Sequence, residues 1–243
     1  MRTFVFCFLL AAACERPPLQ TSADASAAAS SPAASVAVAP IAPAALPKRS
    51  RLFIDDTGFR IDGSFIGPSE GDRLTGVLEP YASAEPFPVD AARNAKPSFV
   101  VTALRALRRA HATSSTVTTD DRNRTPTELL VTLLSVAVPN CSAVALIGKD
   151  ASISVWTVGG TVAKKFPRGF GGPDMTLGSE GLRATAALCN GPALFVGADD
   201  VMNWGLVFDL AFASRGSPDA GRKSLDVAVI AGTVVAGRRV ALD

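Results

Sequence analysis

Apolar residues recur along this chain in two rhythms, one of alternate positions and one of every third or fourth, and their succession predicts the elements. The run ALFVGADDVMNWGLVFDLAFAS, residues 193–214, joins a short apolar segment, a carboxylate turn and an amphipathic segment without a gap. The first four residues predict a strand. Leu206, Val207, Leu210, Ala211 and Ser214 share one side at helical spacing and predict a helix from about Asn203. After the polar loop RGSPDAGRKS, the β-branched run LDVAVIAG predicts a second strand, so the whole reads as a βαβ crossover.

From Arg51, RLFIDDTGFRIDGSFI gives two short alternating runs about Asp56, Thr57 and Gly58, a predicted β-hairpin, followed by a loop rich in Pro, Gly and Glu. PSFVVTALRALRRAHA sets Val100, Val101, Leu104 and Leu107 against Arg105, Arg108 and Arg109, which predicts an amphipathic helix. STVTTDD reads as strand and turn. TPTELLVTLLSVAV reads as a helix with Thr125 and Pro126 at its first turn, and CSAVALIG as a strand. ASISVWTVGGTVAKKF then predicts a hairpin, and TLGSEGLRATAALCN a weaker helix with two glycines.

This order suggests a duplication. An offset of 78 carries Phe99 to Leu177, Leu104 to Leu182, Arg105 to Arg183, Val117 to Phe195 and Asp121 to Asp199. One residue fewer in the turn sets Leu129, Leu130 and Leu133 over Leu206, Val207 and Leu210. A six-residue insertion then sets Val144, Ala145 and Ile147 over Val227, Ala228 and Ile230. The expected architecture is α+β: two tandem ββαβαβ domains, residues 51–148 and 149–243, each a mixed sheet with two helices on one face. Units of about 90 residues are small, and a shared interface adds buried area.

Ahead of them, residues 15–48 are about two-thirds Ala, Ser and Pro with almost no large apolar side chains, too little to form a core. Residues 14–50 are expected to be a disordered tether, which at about 3.1 Å per residue spans on the order of 100 Å if extended. Across 243 residues, 24 basic against 22 acidic side chains give no global field to attract nucleic acid. One His, one Tyr and four Cys leave few groups for base catalysis or metal ligation.

The first residues, MRTFVFCFLLAAACERPP, resemble a bacterial lipoprotein signal: Arg2, an apolar core from Phe4 to Leu10, then Ala11, Ala12, Ala13 and Cys14. Ala11 stands where Leu is commoner. The apolar run is roughly 11 residues where about 20 are needed to span a bilayer. The resemblance implies cleavage after residue 13, lipidation of Cys14 and a chain anchored in the bacterial envelope with its domains in the periplasm.

The block ADDVMNWGLVFDL is similar to the AD-K-x-V-P-Y-G-x-V-V-x-V stretch in the periplasmic domain of the ExbD/TolR biopolymer-transport family. Ala198, Asp199, Gly205, Leu206, Val207 and Leu210 match, while Met202, Asn203 and Trp204 replace Val, Pro and Tyr. In the first copy Asp121, Pro126, Leu129, Leu130 and Leu133 correspond. The family's transmembrane helix with its working carboxylate has no counterpart here, so proton conduction is not implied. What the resemblance implies is dimerisation, contact with an envelope protein or attachment to peptidoglycan, with the tandem copies forming an internal pseudo-dimer.

Several residues invite a functional role. The pairs Asp55 with Asp56, Asp120 with Asp121 and Asp199 with Asp200 each fall at a strand end, where Asp satisfies turn amides or the next helix terminus; no regular series of further oxygen ligands for Ca²⁺ follows. Lys164, Lys165 and Arg168 in the glycine-rich KKFPRGFGGPD are the best anion-contact candidates, although phosphate-loop spacing is absent. The helix arginines read as a solvated face. His111 ends a helix, where a cation is favoured, without a nucleophile motif, and Trp156 and Trp204 read as core or interface anchors. With Cys7 removed and Cys14 lipidated, Cys141 and Cys189 are left either to bridge the copies or to lie buried separately. No catalysis, cofactor or metal is expected. The expected function is a noncatalytic envelope lipoprotein serving as a protein-interaction or peptidoglycan-associated module; the alternatives are an envelope-polymer-acting enzyme and a purely structural spacer.

Overall fold

The computed structural model describes residues 50–81, 86–133, 140–188, 193–215, 226–229 and 234–240. The signal segment, Cys14, the tether and Cys189 lie outside the described residues. Pro47–Asp243 forms one compact unit, and its core draws on residues from Leu52 onward.

The hairpin about Asp56 is present as β1 (Leu52–Ile54) and β2 (Phe59–Ile61). A second turn follows at once. Asp62 and Gly63 both take positive φ, 47° and 81°, as a two-residue Asp-Gly turn requires, and return the chain as β3 (Ser64–Ile66). The expected loop beyond it instead holds helix α1 (Gly71–Leu78), which buries Leu74 and Leu78 one turn apart, and strand β4 (Phe87–Ala91), whose burial alternates. Glycines and prolines on the exposed positions masked both patterns. Helix α2 (Pro97–Arg109) is as expected, with Pro97 in its first turn.

After β5 (Ser114–Asp120) the sequence predicts a helix, and the structure has a strand, β6 (Pro126–Thr132), antiparallel to β5. The Asp121 carboxylate accepts the amides of Asn123 and Thr125, and Arg124 takes φ 62°, so the chain folds straight back. Leu129 and Val131 then point into the core while Leu130 stays half exposed. Apolar positions 129, 130 and 133 fit either period; the tight turn and the β-branched Thr127, Val131 and Thr132 favour the strand.

Strands β7 (Ala143–Ile147), β8 (Ile153–Thr157) and β9 (Lys164–Phe166), helix α3 (Met175–Ala187), strand β10 (Ala193–Ala198), helix α4 (Trp204–Arg215) and strand β11 (Asp226–Val229) follow among the described residues. All eleven strands join one mixed sheet in the order β3-β2-β1-β4-β5-β6-β11-β10-β7-β8-β9. The protein is therefore mixed α+β, with the four described α-helices packed on one face of a continuous sheet.

That strand order is a palindrome about β6. The β1-β2-β3-α1-β4-α2-β5 succession is repeated by β7-β8-β9-α3-β10-α4-β11, with every pairing of the same sense. The register fixes the equivalence. Val89 lies between Leu52 and Val117 as Val196 lies between Ala145 and Val229. The amide of Ala92 bonds the Ile54 carbonyl at 2.8 Å, and that of Asp199 bonds Ile147 at 2.9 Å. A repeated order of elements is present, but in another phase than the 78-residue offset gives: α2 corresponds to α4, not α3, and β7 opens the second half rather than closing the first. The segment equivalent to the Ala198 block is accordingly the one from Ala91 into α2, whereas Asp121 belongs to the β5–β6 turn, Pro126, Leu129 and Leu130 to the central strand, and Leu133 follows that strand.

The two glycines that weaken α3 as a helix have a packing role. A β-carbon on Gly178 would strike Ile153, and one on Gly181 would strike the Phe166 ring, so the helix lies close against β8 and β9 only because both side chains are missing. Gly181→Ala is expected to cost on the order of 1–2 kcal/mol through overpacking, read as a lowered urea midpoint, whereas the same change at Gly76, which faces open space, is expected to be neutral or slightly stabilising.

The opposite face differs between the halves. In the second, Val144, Trp156, Val158 and Phe195 form a small cluster closed by Val240, with the Trp156 indole N–H donating to the Arg238 carbonyl at 2.9 Å. In the first, the equivalent face exposes Phe53 and Phe65 across Arg60.

Candidate functional site

The strand-to-helix loops after β4 and β10 meet where the halves join. The amides of Trp204 and Gly205, which open α4, donate to the carbonyls of Ala95 and Arg93 at 2.8 and 2.9 Å. In return the amide of Ser98, in the first turn of α2, donates to the Asp200 carboxylate at 3.0 Å. By the register above, Gly205 and Ser98 are equivalent, and so are Arg93 and Asp200. Each half thus satisfies a helix-terminal amide of the other at the same position, once with a carbonyl and once with a carboxylate. A β-carbon on Gly205 would sit within 3.0 Å of the Arg93 guanidinium, which gives that glycine its reason.

One carboxylate ties the seam together. Asp209, on α4 and 14% exposed, receives both terminal nitrogens of Arg93 at 3.0 and 2.8 Å and the Nε of Arg122 at 3.0 Å. Arg93 also donates to the Asp120 carbonyl at 2.8 Å. Burial pushes the Asp209 carboxyl upward, but the bonds from Arg93 and Arg122 outweigh it and hold the group below the ordinary carboxylate range. The bonds from Asp209 likewise raise the Arg93 guanidinium against its own burial. The cluster thereby ties α4 of the second half to the β4 loop and the β5–β6 turn of the first. Beside it Trp204, fully buried, donates its indole N–H to Thr119 Oγ1 at 2.9 Å, and Thr119 donates to the Ala91 carbonyl at 3.0 Å. Both tryptophans are core anchors.

The sequence did not single out Arg93 and Asp209. A signal was there: Asp209 is the sole charge within GLVFDLAFAS, on a helix otherwise apolar on nearly every side.

The three acidic pairs serve turns and caps. Asp55 accepts the amides of Thr57 and Gly58, the Thr57 hydroxyl and Arg60; the Thr57 hydroxyl bond is the main force lowering its carboxyl, against burial. Asp121 bonds its own turn, Asp199 accepts the Val201 amide at 3.1 Å, and Asp200 caps α2. They are not brought together. His111 takes φ 68° just past the end of α2, the left-handed position that closes a helix.

Lys164, Lys165 and Arg168 lie on and beyond β9, a sheet edge. Lys165 binds Asp150 at 2.8 Å, a bond that is the chief cause of that carboxyl lying far below its usual range. Lys164 sits over the Phe166 ring at 5.0 Å, and Arg168 is exposed. Beyond them Gly169 and Gly172 bridge to each other and present Phe170, fully exposed, at the tip. Cys141 is disulfide-bonded, and its partner lies outside the described residues. Among the described residues no group of three or more His, Cys, Asp or Glu is placed to hold a metal, and no helix is long and apolar enough to cross a membrane.

No family model matches the chain, and no curated protein or solved structure matches it either.

Proposed function

We propose that this chain is a noncatalytic envelope lipoprotein whose paired ExbD/TolR-like units form a rigid platform for an envelope protein or peptidoglycan, held to the membrane through lipid on Cys14. The reciprocal bonding of equivalent loops across the seam carries this proposal. It joins two like units inside one chain, as the family resemblance implies for a pseudo-dimer, and it absorbs the Asp200 and Asp209 carboxylates that a catalytic site would need free. The disulfide at Cys141 supports an oxidising compartment outside the cytoplasm.

Cys189 is the partner proposed for Cys141. Strands β7 and β10 are parallel neighbours within the second half, with Ala143 opposite Leu194, and in the sequence Cys141 and Cys189 stand shortly before them, so the proposed bridge lies within one half rather than between the copies. Peptide mapping without reductant is expected to give a single 141–189 cross-linked pair; a 141 peptide joined to any other cysteine, or none, rejects the pairing.

The function is tested by retention of the tethered, lipidated chain on sacculi and by crosslinking to envelope proteins in cells. Specific retention on one of them is expected. Retention on neither sinks the proposal and leaves the spacer.

A further inference from the structure

The glycine-rich loop after β9 is explained neither by the seam nor by the core. Its tip is Gly169-Phe170-Gly171-Gly172, closed by a bridge between Gly169 and Gly172, whose backbone bond is 2.8 Å. Phe170 is as exposed as a side chain can be, at 110% of its reference area. Leaving one large aromatic wholly in water at the end of a closed loop forgoes the burial that every other Phe in the second half obtains at least in part.

The charge around it has one sign to spare. Because Ile153 pairs with Phe166, the loop leaves β9 at the end of the sheet where the β7–β8 turn lies, which places exposed Lys149 at the same corner as Arg168. The two nearby carboxylates are already used: Asp150 by Lys165 and by Ser152, and Asp174 by the Leu177 amide at the start of α3. Lys149 and Arg168 donate no hydrogen bond to a described carboxylate and form no ion pair with one. An apolar tip with Lys149 and Arg168 at its corner complements a surface that is apolar within and anionic at its rim, which is a bilayer bearing anionic headgroups.

We infer that the 167–173 loop is a membrane-contact element, with Phe170 entering the acyl boundary and Lys149 and Arg168 meeting lipid phosphates. It makes a second, reversible contact distinct from the acyl group on Cys14.

The test uses residues 47–243, a compact unit with its own core that lacks both the signal and the acylation site, so its failure leaves the anchor proposal standing. Cosedimentation is expected with phosphatidylglycerol vesicles and not with phosphatidylcholine vesicles. Phe170→Ser is expected to lower the partition coefficient about tenfold, and Arg168→Gln about fivefold. Neither side chain is buried, so both variants are expected to keep the parent thermal midpoint. In Phe170→Trp, addition of phosphatidylglycerol is expected to shift the emission of the new indole to the blue, while Trp156 and Trp204 stay in the core. The inference is overturned if the parent fails to bind phosphatidylglycerol, or if Phe170→Ser binds as the parent does. It is equally overturned if inorganic phosphate displaces the protein while Phe170→Ser has no effect, since the loop is then a free-anion site.

Discussion

Replacing Trp204 by alanine is expected to remove about 3–5 kcal/mol of unfolding free energy, the range for truncating a fully buried indole. Trp204 has no exposed surface and packs edge-on to Phe208 with ring centroids 6.4 Å apart. Its indole N–H reaches across the seam to Thr119, so the substitution opens a cavity where α4 of one half meets β5 of the other. Trp204→Phe keeps most of the volume and loses chiefly that bond, for an expected cost of about 1–2 kcal/mol. Urea unfolding followed by far-UV circular dichroism measures both. Because one sheet runs through both halves, a single transition is expected in each case. Two separated transitions in the alanine variant would mean that the halves are autonomous and the seam contributes little.

How much of this was legible in the sequence depended on how local the signal was. The β1–β2 hairpin, α2 and the β10-α4 unit were readable because turn residues, an N-terminal Pro and a one-sided apolar stripe all lie within the segment they shape. Helix α1 and strand β4 were missed because their inward positions are few, Leu74 and Leu78 in one, Phe87, Val89 and Ala91 in the other, between Gly and Pro that read as loop. β6 was misread because its apolar spacing fits two periods; the decision came from pairing with β5, a contact the sequence does not display. The repeat was sensed but set in the wrong phase for a related reason. Between true equivalents identity is confined to scattered positions such as Val89 with Val196 and Val100 with Val207, and burial is the commoner shared property: Val101 with Phe208, Ala103 with Leu210 and Leu104 with Ala211 are all inside, while Pro97 stands for Trp204 and Arg93 for Asp200. Matching apolar letters found a denser coincidence elsewhere. The seam residues are not legible in the sequence because Arg93 and Asp209 are 116 positions apart, and only the folded chain shows that they meet.

That ion pair yields a graded prediction. Arg93→Met is expected to cost about 2–3 kcal/mol, below the range for a fully buried pair because the Arg93 side chain keeps 29% of its exposure. The cost arises less from the lost attraction than from the Asp209 carboxylate, left mostly buried with one partner, and from the Asp120 and Gly205 carbonyls that Arg93 also serves. Arg122→Met removes a partner that is 65% exposed, where solvent screens the charge, so about 0.5 kcal/mol or less is expected. The pair also sets a pH dependence with a definite sign. Asp209 has a folded pKa below its unfolded value, so folding favours the ionised form: the contribution is complete above the ordinary carboxylate range and is lost as pH falls through that range toward the folded value. Arg93 stays charged throughout and adds no slope. Asp209→Asn should therefore flatten the acid limb of stability against pH while leaving the neutral-to-basic limb parallel to the parent. An unchanged acid limb would assign the acid sensitivity to other carboxylates, with Asp55 and Asp150, both lowered by their own turn and ion-pair bonds, the next to replace.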